Sequence, residues 1–342
     1  MPKNNMIYEN IILLEEFMRE KWIDVLKGLG MIFVCWGHLD PGRFMETHIY
    51  SFHMPLFFFI SGYLFLRSNY DLNTCIKKKF QGLIKPYLIF AIISLIISLA
   101  MKITTIGDFK TNITNFFFLK GTVGWNSPLW FLVVLFICEV TYRALYNKFK
   151  FSIVNLSIFA IALIGYIVQK NNLVLPFGIH IVPIGMIFYH IGVLFKKFDM
   201  KEVVIKHKSI VCISTLIINI LFSYVLNIRI SVYHHDYGHF LFFIIAAISG
   251  ILFYTTLAII IQKNSILEFL GRNTLVILAT QYILFKAFIL IDRVLNLSVI
   301  GQDSTFLSLL MTIFTLLIYY VAIKLYDNLR GYVDSKKHKE LI

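Results

Sequence analysis

Ten stretches of mostly apolar residues follow one another along the chain, at roughly 23–39, 49–66, 82–101, 128–146, 151–169, 174–195, 209–227, 240–262, 273–292 and 304–326. A helix needs about 20 such residues to cross the hydrocarbon core of a bilayer. Only 15% of the 342 residues are charged and 58% are hydrophobic, whereas a soluble domain carries about 25% charged residues. So few charges cannot cover a soluble surface. The expected fold class is all-α, a polytopic integral membrane protein with about ten transmembrane helices. One membrane domain over 22–328 fills most of the chain, with no internal repeat or low-complexity linker. It is flanked by an N-terminal segment, 1–21, and a basic tail, 329–342.

The flanks and connections carry the charge. Residues 1–21 hold Glu9, Glu15, Glu16 and Glu20 and lack the basic start and apolar run of a cleavable signal. Ile11, Ile12, Leu14, Phe17 and Met18 fall at helical spacing, so a short helix on the membrane surface is expected there. The net charge of +13 would suggest nucleic acid in a soluble protein. Here the basic residues sit in short runs between apolar stretches, as membrane loops do, and no nucleic-acid partner is expected. One alternating set of connections carries 21 Lys and Arg, the other seven. The positive-inside rule then places both termini in the cytoplasm. Cys35, Cys75, Cys138 and Cys212 show no CxxC spacing, so free thiols and no metal site are expected.

Ionisable residues within apolar segments are costly and tend to be functional. The first segment reads WIDVLKGLGMIFVCWGHL and contains Asp24, Lys27 and His38. At 100° per residue, His38 falls about 20° past three full turns from Lys27, so the two share a face with Asp24 nearby. They are roughly 16 Å apart along the axis. The bland alternative makes Asp24 and Lys27 an interfacial pair and His38 a helix-end residue facing headgroups. The second segment, HIYSFHMPLFFFISGYLF, places His53 two residues before Pro55, which frees a nearby backbone carbonyl. A histidine on each of two adjacent helices, both toward the outer half, suits a general base acting on a hydroxyl.

The connection KKKFQGLIKPY sets Lys77, Lys78, Lys79 and Lys85 beside the membrane. These are either ordinary inside-loop charges or a site for a phosphate-rich ligand, which lysines bind as point charges. Glu139, within PLWFLVVLFICEV, calls for a lysine or histidine partner, or pairs with Arg143 at i+4. Trp130 near the outer end is an aromatic-belt residue by default. His234, His235 and His239 in VYHHDYGHF have no second ligand set beside them and make a poor metal site.

WIDVLKGLGMIFVCWGH followed by IYSFHMPLFFFISGYLF resembles the opening of the membrane acyltransferase-3 family. The branch it is most similar to is the bacterial sugar O-acetylases, of the kind that acetylate fucose in nodulation factors. The family's basic-residue–x10–His motif corresponds to Lys27 and His38, and its basic stretch ending in Pro-Tyr to Lys77–Tyr87. PLWFL at 128–132 and LGRNTLVILATQY at 270–282 also match in kind. Two departures are Lys27, where arginine is frequent, and Gln281, where a late helix often ends in histidine.

The resemblance implies a bacterial plasma-membrane enzyme. It would move an acyl group, with acetyl expected, from cytoplasmic acyl-CoA to a hydroxyl of a surface or lipid-linked saccharide. Donor phosphates would dock on Lys77, Lys78 and Lys79, with Lys85 and Lys27 as further contacts. The pantetheine arm would run along the first helix to His38, acting as general base or acyl carrier. Asp24 would orient Lys27, His53 would complete the catalytic group, and Trp130 and Glu139 would line the substrate site. Acetyl-CoA would be the donor, and no metal is expected. The rival classes are a lipid-linked glycan transporter and a polysaccharide polymerase. Neither the paired broken helices of a transporter nor a long outer loop is visible.

Overall fold

The structure is a computed structural model that describes residues 20–100, 125–228, 230–296 and 304–340. The proposed surface helix within 1–19, most of the 102–127 connection and Arg229 lie outside the described residues. The described residues form thirteen α-helices: α1 Lys21–Gly37, α2 Gly42–Phe65, α3 Leu72–Lys79, α4 Lys85–Ala100, α5 Trp130–Lys148, α6 Phe151–Lys170, α7 Val182–Lys197, α8 Met200–Lys206, α9 Lys208–Ile220, α10 Phe240–Ile261, α11 Ser265–Arg272, α12 Thr274–Val294 and α13 Thr305–Glu340. Among the described residues the extended pairing is one bridge, Ser231 with Asp236.

Among the described residues eight helical stretches are long and apolar enough to cross a membrane, and they coincide with the last eight sequence segments. The third begins early, because α3, a π turn at Phe80–Ile84 and α4 run on without a break. The first two segments are α1 and α2. They are less apolar because their surroundings are protein: Val25, Leu26, Ile49, Phe52 and Leu56 are shut off from the surface. Outside them, α6, α9 and α13 turn apolar side chains outward, with Leu156, Ile210 and Phe306 each about two-thirds or more exposed (68%, 70% and 71%). Outward apolar faces around a partly polar interior suit a lipid solvent.

Backbone-close contacts hold the central helices together. A Cβ on Gly62 of α2 would strike the carbonyl of Tyr189 in α7, and one on Gly192 of α7 would strike that of Phe59 in α2. Small residues give helices this approach where no hydrophobic effect drives association. Gly28 of α1 and Gly271 of α11 meet in the same way, against Leu267 and Asp24. Polar bonds add to this: Asn219 of α9 donates to Ser51 of α2 at 3.1 Å and to the Ala246 carbonyl of α10 at 2.8 Å.

Glu20 gathers one end of the bundle. Its carboxylate accepts from Trp22 and Tyr63 at 2.8 Å each, from Arg67 at 2.7 Å and from Lys196 at 3.2 Å. The start of α1, the end of α2 and the end of α7 are therefore neighbours. The positive-charge alternation requires this of residues that it assigns to one side.

Candidate active site

Two cavities lie along the bundle interior. The larger, about 380 Å³, is at the end marked by Glu20, and its wall includes Lys27, Arg67, Lys79, Glu139 and Arg143. The smaller, about 140 Å³, is walled by His38, Tyr50, His53, Trp130, Tyr233 and Tyr282 among others.

The helices explain why these residues converge. Lys27, Met31, Val34 and His38 recur at 4, 3 and 4 residues, which is a single stripe on α1. Lys27 and Met31 face the basic cavity, and Val34 and His38 the histidine cavity. The other elements follow suit. On α5, Glu139 and Arg143 lie at the basic end, and Trp130 lies at the other. On α12, Thr274 and Leu275 lie at the basic end and Tyr282 at the other. The shared face inferred from 100° periodicity is thus a lining that runs from one cavity to the next.

At the histidine end, His38 caps the C-terminus of α1. Its Nδ1 lies 3.1 Å from the Tyr282 hydroxyl. His53 Nδ1 lies 2.8 Å from the Ile49 carbonyl one turn back. A carbonyl only accepts, so Nδ1 of His53 carries the proton and its Nε2 keeps the lone pair. His38 has no such constraint, since a tyrosine hydroxyl can donate or accept. When Nδ1–H of His38 donates to Tyr282, Nε2 becomes its basic nitrogen too. The indole of Trp130 is buried in the cavity wall, 6.3 Å from the Tyr233 ring, rather than displayed in an outer belt.

At the basic end, Lys79 forms an ion pair with Glu139, so of the partners open to this carboxylate the lysine takes it. Arg143 instead donates to the Ser68 carbonyl at 2.8 Å and lies 3.9 Å above the Phe65 ring. Lys77, Lys78 and Lys85 are exposed beside this cavity and do not line it; Lys78 sits over Tyr70 at 4.8 Å. Asp24 is buried and pairs with Arg272 at 3.7 Å. It is fourteen residues, or about 21 Å, from His38 along the helix, so it belongs to the basic end and does not reach the histidines.

The three histidines of VYHHDYGHF separate. His234 lines the histidine cavity, His235 packs against His180 at 5.1 Å, and His239 stacks on Phe242 at 4.0 Å. Tyr50, Tyr233, Tyr282 and Arg67 line the cavities and were not singled out in the sequence, while Arg143 was named there only as a partner for Glu139. Tyr282 closes the LATQY run and stood in view. Tyr50 lies one turn before His53 on α2, whereas Tyr233 and Arg67 join the walls only when distant segments meet.

A family model for an acyltransferase domain matches residues 20–324. The chain belongs to the acyltransferase-3 family. Curated proteins and solved structures give no match. Both cavities and every helix up to the first half of α13 fall inside the matched span. With its eight long apolar helices, this acyltransferase-3 chain is a membrane-embedded acyltransferase.

Proposed function

We propose that the chain is a bacterial O-acyltransferase that carries an acyl group from cytoplasmic acyl-CoA, with acetyl expected, to a hydroxyl of a cell-surface or lipid-linked saccharide. The observation that carries this reading is the lining that leads from a basic cavity to a cavity holding two histidines. The donor's phosphates would meet Lys79, Lys27 and Arg67 at the mouth, with Lys77, Lys78 and Lys85 raising the local cation density. The thin pantetheine arm would follow the α1 stripe, bringing the thioester to His38.

His38 Nε2 then takes the proton of the acceptor hydroxyl as that oxygen attacks the thioester carbonyl. A C–O bond forms, the C–S bond breaks, and the proton passes on to the sulfur, giving an ester and free CoA thiol. An acyl group carried briefly on Nε2 would use the same ring in the same place. His53 supplies a second nitrogen lone pair in the cavity, and Tyr282 positions His38. The tyrosines and Trp130 give a sugar flat apolar faces beside hydroxyl groups. Both termini would be cytoplasmic.

The test has two arms. Purified protein should bind CoA and release its thiol from acetyl-CoA. Cells with and without the protein should differ by acyl-sized masses on their surface glycans. A chain that exports a glycan unaltered, with no CoA dependence, is a transporter and refutes the reading.

A further inference from the structure

Met54 of α2 and Leu278 of α12 line both cavities. Each shows one side to Lys27's chamber and the other to His38's, and each is otherwise buried at 7% exposure. On α1 the changeover falls between Met31 and Val34. Both side chains therefore stand where the two cavities adjoin.

We infer that Met54 and Leu278 form a movable apolar partition that admits the acyl thioester and sets its length. The inference rests on the acyl-CoA reading above. Three features support it. Methionine has an unbranched, flexible side chain that can shift without rebuilding its helix. The next residue, Pro55, gives no N–H to the Ser51 carbonyl, so the helix is least tied at this point. The chamber beyond is small, about 140 Å³ against 380 Å³ before it, which suits a short acyl group. Two apolar side chains also hold back the charged part of the donor, since unpaired charge is costly to bury. Thioester and methyl cross while phosphates stay with the cations.

The experiment uses the full chain in lipid nanodiscs. CoA binding is measured by calorimetry. Thiol release is measured from acetyl-, butyryl- and hexanoyl-CoA, with water as acceptor. Leu278→Ala and Met54→Ala widen the passage and should raise the hexanoyl-to-acetyl turnover ratio about tenfold or more, the lower end of what a misplaced methylene is worth. Leu278→Trp narrows it and should lower acetyl turnover at least about tenfold while CoA binding holds. CoA binding by each variant reports an intact fold, and the two alanine variants decide the matter if the tryptophan variant fails to fold. An unchanged chain-length ratio in active alanine variants overturns the partition and leaves the acyl-CoA reading standing. A wild-type chain that neither binds CoA nor releases thiol from any of the three overturns both.

Discussion

The histidine cavity holds two imidazoles that are prepared differently. His53 is fixed in one tautomer by a carbonyl, and His38 is held by a hydroxyl that allows either. His38→Gln keeps the size and some hydrogen bonding but removes the base, and should lower acyl transfer by about 10²–10⁴. Thiol-release kinetics check this, with retained CoA binding as control. Tyr282→Phe should lower turnover less and leave the KM for acyl-CoA unchanged, because it frees the His38 ring without touching the donor. At the other end the cavity separates the lysines. Lys79→Gln should raise KM for acyl-CoA, and Lys77→Gln should do so less, with a salt dependence set by screening over about 10 Å at 0.1 M. Equal effects would make the cluster a diffuse attraction with no role for the cavity. The pairing of Lys27 with His38 was legible because both lie on one helix, where periodicity is enough. Tyr282 and Arg67 reach the cavities from elsewhere in the chain, and no spacing rule joins them to the α1 stripe.

At the level of the element, apolar length revealed the helices better than it revealed their setting. The two segments with polar residues at depth are among the more enclosed, since α1 and α2 exchange much of their lipid contact for protein contact. Gly62 and Gly192 fix one of those contacts, and their value was hidden because a lone glycine in an apolar run has many readings. Gly62→Ala should destabilise by about 1–3 kcal/mol, as an inserted methyl does in a tight core, or more, since the obstacle is backbone. Thermal unfolding in detergent measures it; Gly82→Ala, where a Cβ meets open space, is the control. The Glu20 junction should carry a pH signature. Burial raises its pKa, but the bonds from Arg67, Trp22 and Tyr63 and the charge of Lys196 outweigh this and lower it from 4.5 to about 2. A depressed carboxylate stabilises the fold at pH values above its unfolded pKa, and that contribution is lost as pH falls from about 4.5 toward 2. Glu20→Gln should therefore unfold earlier than wild type at pH 7, with the difference shrinking below pH 4.5 and closing only near pH 2. A gap unchanged by acid would mean that the junction acts through shape and not charge.

For the whole molecule, direction across the membrane decides whether the chemistry is possible at all. On the proposed reading the donor is cytoplasmic and the acceptor is not, so the basic cavity would open inward and the histidine cavity would lie toward the outside. The charge count makes that assignment from loops alone, independently of the cavities. Folding tests half of it, because Glu20, Arg67 and Lys196 do meet at one end. The end on which they meet also bears Lys79 and Arg143, while residues 231–234 lie over the opposite cavity. Reporter fusions at 75 and 200 should therefore read cytoplasmic, and one at 235 should read external. Sidedness and cavity order are linked here by the fold, so a single reporter can contradict both. If residue 235 reads cytoplasmic, His38 faces the cytoplasm and Lys79 the outside, and CoA would have to bind where none is made. The acyltransferase assignment of the family would survive that result, but the donor would then have to be something other than cytoplasmic acyl-CoA.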